Sequence, residues 1–459
     1  MTSGTKRSVG YGVGLAAALG LAACSGSSSG TEEAAAGAGP GSGGGAAGSG
    51  SIAPDIQEAR SDLSRDTTPD VSDPDYQAFV FSTNDFGLDV FGELTTSDAN
   101  VVFSPVSVAV ALGMTYAGAR GSTANQMSAV LHNGLSDEAF HAASNQLALD
   151  LASRNIAPHE TEGGDKSLRL DLVNATWAQT GYEILQPFLD TLAANYDAGL
   201  KLLDFVSDPE ASRQTINQWV AYRTEDRIQD LIGPGAITRD TRLVLTNTLY
   251  FYGSWNEVFD ADANSDGMFH TLSGGDVTAE MMHQSSSYSY AEGDGYQMLD
   301  LPYDGNELAM TIVLPEAGRF AEIRDALNSD WLEQARGALA STSVDLTLPK
   351  FSFTWGTESL KDPLIELGMT DAFQSGAADF TGIHATPELY IADVLHQAFI
   401  GVDESGTEAA AATAVILDRW TAGPGEAVAV TVDRPFFFFI RDTSGLLLFS
   451  GQVTDPTAQ

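Results

Sequence analysis

From Pro74 onward apolar residues recur at helical spacing: Phe86, Val90 and Leu94 fall on one face, and after Ser107 the period resumes through Val108, Leu112 and Tyr116. The N-terminal third is therefore predicted to be mainly helical. The same period runs from Leu185 to Leu202 and from Ile216 to Leu231. At Arg242 the pattern changes, and the stretch to Tyr252, rich in Leu, Val, Thr and Tyr, predicts a strand. Val344, Leu346 and Leu348 alternate with Asp345 and Thr347 before Pro349, the signature of a half-buried strand, and Val428, Val430 and Val432 repeat it. Near the C-terminus Phe436 to Ile440 is continuously apolar, Arg441 to Gly445 supplies turn residues, and Leu446 to Phe449 returns, which predicts a buried hairpin. Helices early and strands late define an α+β class, without an internal repeat.

One segment resists this reading. Between Glu404 and Leu417 nearly every residue is small, so the stretch can enter a sheet, yet its apolar content is too low to hold it there. At the strand period of two, Thr407, Ala409, Ala411 and Thr413 share one face, and Glu408, Ala410 and Ala412 share the other. The first face carries no charge. Loop, strand and the end of an alanine-rich helix all remain open for it. Downstream, Arg419, Trp420 and Thr421 set bulky side chains beside Gly423-Pro424-Gly425, as an exposed loop does.

The N-terminus reads as an export signal. Lys6 and Arg7 precede an apolar run from Val9 to Ala23 that is too short to span a bilayer comfortably and ends in small residues. Leu21-Ala22-Ala23-Cys24 resembles the lipobox of bacterial lipoproteins, which would make Cys24, the sole cysteine, a lipidated first residue. From Ser25 to about Ser51 the chain is almost all Gly, Ala and Ser, a tether composition. The expected organisation is a signal peptide over 1–23, a lipidated Cys24 and tether over 24–74, and a folded domain over 75–459. That places the domain outside the cell or in the periplasm, anchored at the envelope.

A formal charge of −40 argues against nucleic acid as a partner. The seven histidines show no metal-ligand spacing, no phosphate-cradling glycine loop is present, and neither metal nor cofactor is expected. Asp262 to Gly267 resembles the start of a calcium loop, but Ser273 stands where a bidentate Glu is needed, so an acidic turn is the reading. Gly26-Ser27-Ser28-Ser29-Gly30 matches a hydrolase nucleophile pattern inside the tether, where no strand or helix supports it.

Taken together, several stretches resemble the serpin family in family order from about Tyr76 to Thr457. They are Asn100 to Ser107; Leu243 to Asn247 with Gly253-Ser254-Trp255; Leu348-Pro349-Lys350-Phe351; His396 to Thr413; Arg434-Pro435-Phe436; and Gly451 to Thr457. The resemblance implies a serpin fold of about nine helices and three β-sheets with an exposed reactive loop. It implies an inhibitor rather than an enzyme: a serine, possibly cysteine, protease cuts the loop and forms an acyl-enzyme, and the loop enters the main sheet before water can release the attacker. Serpin loop insertion is a known case of strand addition and of stored-strain release. About a dozen new backbone hydrogen bonds at ~1 kcal/mol each would supply on the order of 10 kcal/mol.

By the same resemblance, Glu404, Gly406, Thr407, Glu408, Ala409, Ala410, Ala411, Ala412 and Thr413 form the hinge. Ser104, Ser107, Asn174, Asn247 and His396 form a polar shutter beneath the opening sheet, and Trp255 marks the breach where insertion begins. Counting seventeen residues from Glu404 places the reactive bond between Trp420 and Thr421, for a chymotrypsin-like target. One residue fewer places it between Arg419 and Trp420, for a trypsin-like one. A monomer is expected. A non-inhibitory binding or chaperone-like surface protein is the alternative, and the small, uncharged face of the hinge argues against it.

Overall fold

The computed structural model describes residues 54–161, 164–407 and 427–458. In chain order the first elements are β1 (Gln57–Ala59), α1 (Asp73–Leu94), β2 (Val101–Phe103), α2 (Pro105–Tyr116), α3 (Gly121–Val130), α4 (Asp137–Ser153), β3 (Ile156–Thr161) and β4 (Gly164–Gln179). There follow α5 (Gln186–Tyr196), β5 (Leu200–Leu203), α6 (Pro209–Arg223), β6 (Leu243–Ser254), β7 (Ser265–His270), β8 (Asp276–Gly293), β9 (Tyr296–Pro302) and β10 (Leu308–Pro315). The chain closes with α7 (Phe320–Ala326), α8 (Ser329–Gly337), β11 (Ala340–Pro349), β12 (Phe351–Ser359), α9 (Lys361–Glu366), β13 (Ile391–Val402), β14 (Gly406–Thr407), β15 (Val428–Thr431), β16 (Phe436–Asp442) and β17 (Leu447–Val453).

Helix starts follow local chemistry. Ser72, Ser136 and Asp208 cap α1, α4 and α6 by accepting from the backbone N–H groups of Asp75, Ala139 and Ala211, with Pro in the first turn of α1 and α6. Two predicted helices are shorter than their apolar period. The one read to Leu202 stops at Tyr196, where Asp197 turns left-handed, and Leu200–Leu203 becomes a strand. The one read to Leu231 stops at Arg223, because Glu225 and Asp226 both adopt positive φ and break the helix.

Among the described residues eight strands form one sheet, in the path β1-β5-β4-β6-β14-β13-β12 with β3 on β4. Nine form the other, β15-β11-β8-β9-β10-β16-β17-β2 with β7 on β8. Among the described residues the three expected β-sheets are joined by continuous hydrogen bonding into two, because the 18-residue β8 pairs with β7 and β11 and, at its end, with β9. The hairpin predicted at the C-terminus is β16–β17, buried at every position of both strands. It packs on α2, which is buried all round and therefore shows no amphipathic face. Residues 54–72, within the expected bounds 24–74 of the tether but past its Gly/Ala/Ser-rich part, lie against this body: β1 pairs antiparallel with β5, Ser61 donates to Asp190 at 2.6 Å, and Arg65 donates to Asn145 at 2.7 Å.

Candidate functional site

The first sheet is joined along only half of its central seam. β6 and β13 run parallel and pair over Leu243–Asn247 and Ile391–His396, and their pairing ends at Asn247 and His396. At the far end the two-residue β14 lies between them, with Gly406 opposite Ser254 and Thr407 opposite both Gly253 and Val402. Among the described residues no strand occupies the interval between Thr248–Tyr252 on β6 and Gln397–Gly401 on β13. The outer edges of both strands are paired, β6 with β4 and β13 with β12. Among the described residues this leaves a slot five residues deep between two facing strand edges, the geometry that accepts an added strand.

The closed end of the slot is the polar cluster assigned to the shutter, and all five residues meet there. Asn174 pairs directly with Asn247 across β4 and β6, and Asn247 with His396 across β6 and β13, which puts the three side chains on one face. That face meets the start of α2, where Ser104 is the N-cap and accepts from the Ser107 N–H. The Ser104 backbone N–H donates to His396 Nε2 at 3.2 Å, so Nε2 carries no proton. The proton is on Nδ1, which donates to Asn247 Oδ1 at 2.6 Å, and Asn247 Nδ2 passes the chain on to the Leu395 carbonyl at 3.3 Å. Ser107 Oγ donates to Asn174 Oδ1 at 3.1 Å, which leaves Asn174 Nδ2 without a partner among the described residues. Burial pushes the His396 imidazole down to about 3, and protonation would set N–H against N–H at Ser104. The cluster is a directional chain of hydrogen bonds crossing the seam where the paired half begins.

The open end is tighter. Trp255 is buried, stacks on Tyr303 with ring centroids 4.6 Å apart, and donates through its indole N–H to the Asp403 carbonyl at 2.9 Å. Its backbone N–H donates to the Ser405 carbonyl at 2.8 Å. A Cβ on Gly406 would lie 2.0 Å from the Gly253 carbonyl oxygen, so only glycine lets the two backbones approach here. The turn before it is held by Asp403 Oδ1, which accepts from Ser405 and Gly406 N–H. Glu404 accepts from Lys350 at 2.9 Å and from Asn264. Burial raises the Glu404 carboxyl, and the Lys350, backbone and Asn264 donors outweigh it and hold the group below its ordinary range. Thr407 is 1% exposed and faces inward as its strand parity predicts.

Tyr303, Lys350 and Asn264 are the site residues that sequence reasoning did not assign. Lys350 was in view within Leu348–Phe351, and Asn264 within the acidic turn, but neither motif points to Glu404. Tyr303 is 104 residues from Thr407, and no local pattern joins them. The remaining hinge positions Glu408, Ala409, Ala410, Ala411, Ala412 and Thr413, the bait residues Arg419, Trp420 and Thr421, and Cys24 lie outside the described residues. Among the described residues no group of three or more His, Cys, Asp or Glu is arranged to hold a metal ion, and no helix is long and apolar enough to cross a membrane.

A mixed α+β body with two large sheets and, among its described residues, a main sheet whose central strands pair over half their length is the class of fold these elements define. The comparisons name the family. Residues 81–456 match the family model described as Serpin (serine protease inhibitor), and the chain belongs to the serpin family. An uncharacterized serpin-like protein of Methanosarcina acetivorans is 36% identical over 397 residues, covering 84% of this chain and 89% of that one. The leukocyte elastase inhibitor of Homo sapiens is 34% identical over 383 residues, covering 81% of this chain and 97% of the other. The crystal structure of tengpin, a thermophilic serpin, in the native state superposes with a TM-score of 0.76 at 26% identity, covering 87% of this chain and all of tengpin.

Proposed function

We propose that this serpin is a suicide-substrate inhibitor of serine proteases, exported and lipid-anchored through Cys24, acting as a monomer and cut between Trp420 and Thr421 by a chymotrypsin-like enzyme. The observation that carries this reading is the slot between β6 and β13 with β14 already seated at its mouth. The protease serine oxygen attacks the Trp420 carbonyl carbon, the peptide C–N bond breaks, and the Thr421 amine leaves with a proton. The loop, still esterified to the protease, extends β14. Continued in register, Glu408 to Ala412 would fall opposite Tyr252 to Thr248 and Gly401 to Gln397, and fill the slot. Thr413 would then stand opposite Asn247 and His396, so deeper entry has to part the shutter bond between them. Small side chains at these positions lower the barrier to sliding past packed neighbours.

Incubation of the protein with chymotrypsin and with trypsin tests this, read by denaturing gels, mass spectrometry of the cut loop and melting before and after cleavage. The expected result is a gel-stable complex with chymotrypsin, a cut after Trp420, and a cleaved form that melts higher than the intact one. A cut after Arg419 would reassign the target to trypsin-like enzymes. Cleavage with neither a complex nor a rise in melting temperature would leave a non-inhibitory binding protein.

A further inference from the structure

We propose that the hydroxyl pair of Tyr303 and Thr407 is a latch that seats the hinge in the mouth of the main sheet before any cleavage, making Tyr303 a positioning residue for protease trapping. The proposal rests on the inhibitory reading above and goes beyond it by naming the group that sets its efficiency. Tyr303 belongs to neither strand of the slot. It sits just past β9, held by a bridge to Trp255 and by hydrogen bonds from its own N–H to the Leu308 carbonyl at 2.9 Å and from the Asn306 N–H to its carbonyl at 3.0 Å. Asp304 N–H donates to Ser254 and Asn256 N–H to Pro302, which ties this turn to the end of β6.

The ring is fully buried and packed on both sides of its mount. It stacks on Trp255, meets the edge of Phe251 at 5.0 Å, and lies over Gly253, where a Cβ would approach it to 2.9 Å. From this rigid mount the hydroxyl reaches Thr407 Oγ1 at 2.7 Å, with both residues buried. A strand of two residues is weakly held by its own ladder, so a further bond from a fixed partner counts heavily in whether it docks. Docking matters because closing the first contact of an added strand is its entropically costly step; with that contact already made, insertion starts as soon as the loop is cut, and the ester stays open to water only while the rest of the strand enters.

Removing either hydroxyl leaves the other buried without its partner, whereas removing both leaves two apolar surfaces in contact. The experiment uses the full chain as wild type, Tyr303→Phe, Thr407→Val and the double variant, against whichever of chymotrypsin or trypsin forms the complex. Loop cleavage rate and the number of inhibitor molecules consumed per protease trapped are measured separately, with melting of each intact variant as the folding control. Each single variant should raise the consumption ratio by up to roughly tenfold, and the double variant should return toward wild type. Single variants at the wild-type ratio, or a double variant that is worse than either, would overturn the latch while leaving inhibition standing. A wild type that is cut without trapping or melting higher would overturn both.

Discussion

The two halves of the β6–β13 seam are made of the same strands and differ in what lies between them. From Leu243 to Asn247 the strands pair with each other and the Ser104–His396–Asn247 chain crosses the seam. From Thr248 to Ser254 they part, and among the described residues β14 lies between them at the mouth. In the closed half the two strands pair with each other, and in the open half, among the described residues, they do not. The seam therefore has two unlike ends, with β14 at one and a polar bar at the other.

The contrast breaks most severely at the mouth. Thr407→Arg would place an unpaired guanidinium in a site only 1% exposed, so β14 should fail to seat and the protein should become a substrate. The ratio of covalent complex to cleaved product on denaturing gels measures this, and an unchanged ratio would count against insertion. Next in size is the bar. His396→Leu strands the Ser104 N–H and Asn247 Oδ1 together, for a loss of ~3 kcal/mol in urea unfolding.

The same histidine gives the closed half a pH dependence. Burial pushes the imidazoles of His396 and His141 down from 6.5, to about 3 and about 4. Stability from these groups is complete above the unfolded value of 6.5. As pH falls the unfolded chain takes up the protons first, and each histidine removes ~1.4 kcal/mol per pH unit until its folded value is reached. Urea titrations from pH 7 to about 5 should show this slope, and His396→Gln should remove its share. The smallest effect belongs to the Lys350–Glu404 pair at the base of the hinge. Its lysine is 30% exposed, and Lys350→Met should cost ~1 kcal/mol or less in unfolding stability and weaken further with salt in the wild type.

Much of this was legible along the chain. The alternation in β11 and the apolar hairpin β16–β17 are local consequences of side-chain chemistry, and the structure has them where the pattern put them. The inward face of Thr407 followed from the strand period. Helix ends at Tyr196 and Arg223 did not, because apolar spacing continues past them and the break lies in left-handed backbone at Asp197, Glu225 and Asp226.

What the order of residues determined by itself is the supply of parts: a small-residue segment able to be strand or loop, polar residues in an otherwise apolar setting, and a tryptophan beside a glycine. Tertiary packing alone decided that β6 and β13 pair over half their length, that Tyr303 reaches Thr407, and that the Ser104 N–H fixes the proton of His396. Periodicity reports how a residue relates to neighbours a few positions away. A seam, a latch and a tautomer are set by groups tens to hundreds of positions apart, which only the folded chain brings within hydrogen-bond reach.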